Sequence, residues 1–226
     1  MSRILIVLSS HDQLGSTGRA TGWYLPEAAH PWKIFTEANI DIEFVSPKGG
    51  RNRMDGVDLE DAIQAEFLTT FGDTGPDTHR PDQVDPSQFD AVLYVGGHGT
   101  MWDFANNTAL AGIARDIYEA DGIVSAVCHG PAGLVNITLS DGTYLVAGKQ
   151  LAAFTNDEEA AVGLTDVVPF LLADALTGHG AQHIPAANFA ANTIVDGRLI
   201  TGQNPASAVG VAEAIVQALV TSRTSV

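Results

Sequence analysis

Short apolar runs alternate with amphipathic stretches along most of the chain. The apolar runs have the length of buried β-strands, and the amphipathic stretches repeat with helical spacing. The predicted strands are Arg3–Ser9, Ile40–Ser46, Ala91–Val95, Ile123–Val127, Gln150–Phe154, Asn192–Val195 and Leu199–Gly202. The predicted helices are Ala28–Ala38, Leu59–Phe71, Thr108–Ala120, Glu158–Leu176 and Pro205–Val220.

This alternation predicts an α/β fold in which a mostly parallel sheet carries helices on both faces. Proline is tolerated in a first turn, so Pro31 is placed at the start of its helix, whereas Pro169 is expected to kink or break a longer one. The dipeptide Asp196-Gly197 predicts a hairpin between the last two strands.

Residues 46–89 are rich in Gly, Pro and Asp and carry only one predicted helix. We interpret them as an excursion over the sheet within a single domain, 1–226, because a chain of this length suits one domain. Within it, Gly72–Gln88 is expected to be an irregular surface loop. The polar tail Thr221–Val226 is expected to fray.

Composition narrows the function classes. The chain has 226 residues and 27 acidic against 11 basic side chains, a net charge of -16. Phosphate binding needs a basic face, so nucleic acids and anionic membranes are disfavoured as partners. No apolar run reaches the roughly 18 residues of a membrane span. The single cysteine excludes an intrachain disulfide and favours a cytoplasmic location.

That cysteine, Cys128, ends the apolar run Ile123–Val127 and is followed by His129, Gly130 and Pro131. The order predicts a strand–turn–helix elbow, which exposes one side chain beside backbone N–H groups. A thiol at a helix N-terminus beside a histidine is expected to have a lowered pKa and to act as a nucleophile. The opposing interpretation is a small buried apolar side chain.

Two other segments carry candidate chemistry at predicted strand ends. The turn Gly96–Gly99 can aim N–H groups at a developing oxyanion, with the N–H after Cys128 as second donor, or can be a tight turn and nothing more. Glu27 lies among Trp23, Tyr24 and Trp32, where desolvation would raise its pKa, but it also suits the first turn of a helix. For His129, the alternative to a role beside the nucleophile is a half-exposed turn residue.

The acidic cluster Thr155–Glu159 opens a predicted helix, and capping by Thr155 or Asn156 explains most of it. One acid can still orient a histidine. A metal site is not expected, because His179 and His183 are flanked by Gly178, Gly180 and Pro185, which disfavour a helix presenting both.

Three motifs together resemble the ThiJ/PfpI superfamily, and within it the glyoxalase III-like branch that includes heat-shock chaperone-like members. The resemblance covers about Arg3 to Val220. The motifs are Ala126–Pro131, Gly97–Asp103 and Leu199–Ala208. The resemblance implies a flavodoxin-like three-layer sandwich and a homodimer.

Carried over by residue, the resemblance makes Cys128 the nucleophile and His129 its neighbouring histidine. Glu27 becomes the carboxyl facing the thiol, and Glu159 the partner of the histidine, with Glu158 as the open alternative. The resemblance assigns oxyanion and substrate contacts to Gly97 and His98, with the backbone N–H of His129 as a further oxyanion donor.

The implied activity is a glutathione-independent glyoxalase that converts a small dicarbonyl, methylglyoxal or glyoxal, into a 2-hydroxy acid without a cofactor. The alternatives are a stress-response holdase, a redox sensor, or another thiol-dependent deglycase or hydratase.

Overall fold

A computed structural model describes residues 2–224 of the chain and builds them around a six-stranded sheet. The strands are β1 (Arg3–Val7), β2 (Trp23–Tyr24), β3 (Asp41–Val45), β4 (Met54–Asp55), β5 (Ala91–Tyr94), β6 (Ile123–Val127), β7 (Gln150–Leu151), β8 (Gln182–His183), β9 (Thr193–Asp196) and β10 (Leu199–Gly202). The α-helices are α1 (Leu25–Glu37), α2 (Ala62–Phe71), α3 (Thr100–Asp103), α4 (Thr108–Glu119), α5 (Asn156–Ala161), α6 (Leu172–Gly178) and α7 (Ala208–Thr224). Short 3-10 helices cover Pro81–Gln83, Pro86–Gln88, Gly130–Leu134 and Pro205–Ser207.

The main sheet has the order β3-β1-β5-β6-β10-β9, and its pairs are parallel except β9 with β10. The chain moves outward from β1 to β3 in one direction and from β5 to β6 in the other. Because such crossovers are right-handed, α1 and α4 lie on opposite faces of the sheet. Helix α7 packs on α1. The predicted α/β, flavodoxin-like sandwich is confirmed.

The central strands are buried on both faces, as parallel strands covered by helices must be. Every residue of β5 and β6 is buried. Tyr94 lies wholly inside, and its hydroxyl donates to the Leu110 carbonyl at 2.9 Å, so its one polar atom is satisfied.

The carboxyl ends of β5 and β6 adjoin, since Tyr94 is in register with Ala126. The glycine turn after β5 and Cys128 after β6 are therefore neighbours, as the sequence predicts. The turn after β5 borders the point between β1 and β5 where the strand order reverses, which is where open α/β sheets bind ligands, and Cys128 lies one strand further along.

Helix α2 begins three residues after its predicted start, and α7 is preceded by a 3-10 turn over Pro205–Ser207. Two further helical predictions need a correction that changes where a proline lies. Helix α1 begins at Leu25, three residues before the predicted start, so Pro31 lies inside the helix and not in its first turn. The predicted helix Glu158–Leu176 is instead the two short helices α5 and α6. Gly163, at φ +73°, follows the end of α5, and Pro169 lies within the break.

The predicted strand Gln150–Phe154 is also shorter than expected. Only β7 pairs regularly, and it pairs with β8 outside the main sheet. Beyond it, the Ala152 N–H donates to the Thr201 hydroxyl, and the Phe154 N–H donates to the Cys128 carbonyl. These two isolated hydrogen bonds occur where a regular strand pair would have a continuous series of backbone hydrogen bonds.

At the C-terminal side the predicted hairpin is confirmed, with β9 antiparallel to β10. The tail prediction is wrong at its start, because α7 continues through residues 221–224. Ser225 and Val226 lie outside the described residues.

The excursion 46–89 reaches back to the start of α1. Its strand β4 pairs with β2, and its helix α2 packs on α1. The loop Gly72–Gln88 is irregular apart from its two 3-10 turns and the isolated β-bridges of Thr78 with Gly50 and of His79 with Val45. The assignment of one domain stays a prediction. Within the described part of the chain, no helix combines the length and apolar character that crossing a bilayer requires.

Gly130 provides a test of the packing beneath the elbow. A Cβ at Gly130 would lie 2.2 Å from the Tyr94 carbonyl oxygen, which is buried backbone. We expect Gly130→Ala to lower the free energy of unfolding by about 1–3 kcal/mol. The control is Gly112→Ala, where a Cβ in α4 meets nothing within 4 Å and is expected to stabilise by about 0.5–1 kcal/mol. Equal denaturation midpoints for the two variants would contradict this packing.

Candidate active site

Cys128 follows β6 with a left-handed backbone, φ +61°, which is unusual for a residue other than glycine. Its N–H donates to the Gly202 carbonyl at 2.9 Å, and its own carbonyl accepts from Phe154 at 3.0 Å. The predicted elbow is present. However, the segment after it, Gly130–Leu134, is a 3-10 helix, and the thiol is only 4% exposed.

A chain of polar contacts connects the sulfur with a histidine and then with a carboxylate. The Nδ1 atom of His129 lies 3.4 Å from Sγ of Cys128, and its Nε2 atom hydrogen-bonds Oε2 of Glu159 at 2.7 Å. The other carboxylate oxygen of Glu159 hydrogen-bonds Nε2 of His98 at 3.0 Å. One buried carboxylate thus joins two imidazoles whose ring centroids are 4.1 Å apart.

The charges of this group follow from its surroundings. Burial raises the pKa of Glu159, but hydrogen bonds from His129 and His98 outweigh it and lower the pKa to about 2. Burial and the neighbouring His98 lower the pKa of His129 to about 4. At neutral pH the carboxylate is therefore charged and the His129 ring is neutral, able to accept a proton.

Glu158 has a different environment from its neighbour. Its Oε2 atom accepts from the Thr155 N–H in a capping box, and its Oε1 atom accepts from Asn204 and from the Phe189 N–H. Burial raises the pKa of Glu158, but these bonds outweigh it and lower the pKa overall. Within the acidic cluster, Glu158 therefore takes part in capping the helix, and Glu159 is the partner of the histidine.

Glu27 faces the sulfur from the first turn of α1. It is fully buried, and its Oε2 atom accepts from the Gly96 N–H at 2.8 Å. Its Oε1 atom is buried and has no hydrogen-bond partner among residues 2–224, and the carboxyl group as a whole interacts with the Cys128 thiol. Burial raises the pKa of Glu27 to about 8, so the predicted desolvation is confirmed and the carboxyl is largely protonated at neutral pH.

The expected lowering of the cysteine pKa is wrong. Burial raises the pKa of Cys128 well above its usual value, and a charged Glu27 raises it further. The short 3-10 helix supplies no extended dipole to offset the burial. Backbone N–H groups of Gly97 and His129 act in the other direction by hydrogen-bonding the sulfur. The thiol and the Glu27 carboxyl are close enough to be treated as one titrating pair.

Gly97 approaches the site because it has no side chain. At φ +98°, a Cβ there would lie 2.5 Å from the Gly22 carbonyl oxygen. The absence of a Cβ lets the turn lie against β2, where the Tyr24 N–H donates to the Gly96 carbonyl.

These groups open into a pocket of about 250 Å³. The sequence-predicted residues Glu27, Gly97, His98, Cys128 and His129 line it, and Glu159 lies behind the two histidines. The rest of the wall is mostly apolar: Tyr24, Phe154, Val162, Phe189 and Pro205.

His98, His129 and Glu159 also have the chemistry of metal ligands, with one donor atom from each within 4.8 Å of the others. Spacing along the sequence does not predict this cluster, because its members come from three elements. The 2.7 and 3.0 Å separations are those of hydrogen bonds, which already engage both Nε2 atoms. We therefore assign histidine–carboxylate pairs here.

Residues 20–218 match the model of the DJ-1/PfpI family. The chain belongs to this family. Two curated relatives extend over nearly the whole length. Glyoxalase 3 of Candida albicans is 32% identical, covering 96% of this chain and 98% of the relative, and the glutathione-independent glyoxalase HSP31 of Saccharomyces cerevisiae is 30% identical with the same coverage.

Solved structures of other family members share the fold closely. Glyoxalase III from Candida albicans superimposes with a TM-score of 0.88 at 31% identity, covering 96% of this DJ-1/PfpI chain and 97% of that one. Rapid Encystment Protein 24 KDa from Francisella tularensis gives 0.93 at 38% identity, covering 97% and 99%.

Sequence reasoning missed several members of the DJ-1/PfpI site. Phe189 stands alone among small and polar residues, and its only signal is that isolation. Asn204 lies within the motif Leu199–Ala208, but its hydrogen bonds to Glu158 and to the Ala190 carbonyl, the latter at 2.7 Å, depend on tertiary contact.

The raised pKa of Glu27 predicts a pH effect on stability. The folded state keeps this proton up to about pH 8, whereas an unfolded glutamate loses it near its usual value of 4.5. The stabilisation from the retained proton is full below about pH 4.5 and is lost as pH rises towards 8. We expect the stability of Glu27→Gln to rise relative to the unmodified protein by about 1.4 kcal/mol per pH unit across this window.

The measurement is urea unfolding at several pH values. The control is Glu37→Gln at the exposed end of the same helix, for which we expect no such slope. A Glu27→Gln difference that stays constant between pH 5 and 8 would show that this carboxyl is ionised in the folded state.

Proposed function

We propose that this protein is a glutathione-independent glyoxalase that converts methylglyoxal to lactate and glyoxal to glycolate, with Cys128 as the nucleophile. The observation that carries the proposal is the strained Cys128 facing both Glu27 and His129 in one pocket. Full-length similarity to proteins named glutathione-independent glyoxalases supports it.

The first step forms a carbon–sulfur bond. As the thiol proton passes to the neutral His129 ring, whose Nδ1 atom lies 3.4 Å from Sγ, sulfur attacks the aldehyde carbon and gives a hemithioacetal. Its new oxyanion is held by the N–H groups of Gly97 and His129, which face the sulfur.

The second step moves a proton between adjacent carbons. A base removes the hydrogen from the former aldehyde carbon, and the resulting enediol is reprotonated on the former ketone carbon. This internal redox change gives a 2-hydroxyacyl thioester, and water then releases the 2-hydroxy acid and regenerates the thiol. Glu27 and neutral His129 are the proton carriers, with His129 oriented by Glu159. No cofactor is required by this scheme.

We also propose a homodimer, as the family resemblance implies, and a cytoplasmic location. The single cysteine is compatible with a reducing compartment. The substrate is a small uncharged dicarbonyl.

The direct test is purified protein incubated with methylglyoxal alone, with lactate followed by NMR. We expect turnover without glutathione, and we expect Cys128→Ser to lower kcat/KM by at least about 10³-fold. Turnover unchanged in Cys128→Ser would remove the mechanism.

The alternative functions would give other outcomes. A holdase would suppress client aggregation without turnover, and a redox sensor would show oxidation of Cys128 in place of turnover. A deglycase or hydratase would act on other electrophiles in a substrate panel.

Glu159 provides a separate test of the histidine. In Glu159→Gln the side chain keeps its size but loses the charge that favours a protonated imidazole. We expect kcat/KM to fall by about 10²–10⁴-fold. The matched control is Asp157→Asn, an exposed acid on the same helix, for which no change is expected. Equal activities of the two variants would exclude Glu159 from the mechanism.

A further inference from the structure

We propose that this site prefers 2-oxoaldehydes whose ketone carbon carries an aromatic group, and that Phe189 selects them. The inference rests on the proposed function and names a substrate class within it.

The pocket has a reactive inner end and an apolar outer end. Cys128, His129 and Glu27 are at most 4% exposed, whereas Val162 and Phe189 in the same lining are 41% and 48% exposed. The cavity of about 250 Å³ exceeds the volume of methylglyoxal, which carries only a methyl group on its ketone carbon. A methyl substrate therefore leaves most of the apolar outer wall in contact with water, and a larger apolar substituent would cover it.

Phe189 is held in place at a conformational cost. Its φ is +59°, a region that bulky residues avoid, and its ring gains little burial in return. Strain of this kind persists only where surrounding contacts impose it, and it clusters at functional sites. Its side chain is one wall of the pocket.

The contacts that impose the strain are buried and polar. The Phe189 N–H donates to Oε1 of Glu158 at 2.7 Å, and Asn204 donates to the same oxygen at 2.9 Å. Asn204 also donates to the carbonyl of the next residue, Ala190. Glu158 and Asn204 are fully buried, so buried hydrogen bonds hold the backbone that carries the exposed Phe189 ring.

An aromatic path connects that ring with the reacting groups. The Phe154 ring centroid lies 4.3 Å from that of His129 and 6.4 Å from that of Phe189. With the aldehyde carbon bonded to Sγ, the ketone substituent can extend outward along this wall. Aromatic pairs at such separations gain from offset or edge contacts beyond simple burial.

The chemistry is that of the proposed function. Thiol addition, proton transfer between the two carbons and hydrolysis convert phenylglyoxal to mandelate, with water as the only co-reactant.

The experiment compares kcat/KM for phenylglyoxal with kcat/KM for methylglyoxal and uses their ratio as the readout. We expect a ratio of about ten or more in the unmodified protein. We expect Phe189→Gly to lower that ratio about tenfold, as the loss of one aromatic contact implies. Glycine adopts φ +59° without strain, so the loop backbone is preserved.

Two further variants isolate the ring. Phe189→Tyr keeps an aromatic wall and should keep the ratio. Leu59→Ala removes a side chain that is 69% exposed and absent from the pocket lining, and it should leave the ratio unchanged.

The outcomes separate the two proposals. Methylglyoxal turnover with a ratio at or below one, or a ratio unaffected by Phe189→Gly, would overturn the aromatic preference and leave the glyoxalase proposal intact. No turnover of either substrate would overturn both.

Discussion

The left-handed backbone at Cys128 is the constraint on which the site depends. An extended conformation there would continue β6 and direct the side chain along the alternation of the strand. Hydrogen bonds to Gly202 on one side and from Phe154 on the other hold the residue in a conformation that costs about 1–3 kcal/mol. The turn brings the sulfur to Glu27 and His129 and carries the chain to Gly130, where only glycine fits against Tyr94.

Two glutamates near this sulfur have opposite protonation states. Glu159 accepts hydrogen bonds from two imidazoles and has its pKa lowered to about 2, whereas Glu27 is buried with one N–H and a thiol and has its pKa raised to about 8. Carboxyl groups whose surroundings separate their pKa values in this way can take different roles in one reaction. Glu159 supplies a fixed negative charge behind His129, and Glu27 shares a mobile proton with the sulfur. A raised thiol pKa is compatible with nucleophilic attack because the neutral His129 ring, whose Nδ1 atom lies 3.4 Å from Sγ, can accept the thiol proton.

Much of this arrangement is predictable from local sequence. The apolar runs identify the central strands, and parallel strands bring their carboxyl ends together, so Gly97 and Cys128 could be placed side by side. The resemblance favours Glu159 over Glu158 as the partner of the histidine, and the capping pattern gives the physical reason. Thr155 is the N-cap, and Glu158 is the N3 residue whose side chain bonds back to it, which leaves Glu159 free to bond the histidine.

The features that sequence reasoning missed depend on contacts between distant segments. Phe189 is placed by residues 15 and 31 positions away, through Asn204 and Glu158. His98 was assigned to substrate contact, yet its ring also binds a carboxylate 61 positions along the chain. The short β7 has the same origin, since Thr201 takes a hydrogen bond that a strand partner would have taken. No local pattern encodes such pairings.

The net charge of -16 is consistent with the proposed chemistry at the level of the whole molecule. A dicarbonyl is uncharged, so a negative field neither attracts nor repels it during encounter. The product is a carboxylate, formed in the pocket whose two histidines separate it from Glu159, which is ionised at neutral pH. Repulsion between like charges then favours departure of the product without weakening substrate binding. An enzyme that binds an anionic substrate would lose encounter rate from the same surface, so this acidity suits a neutral substrate and an anionic product.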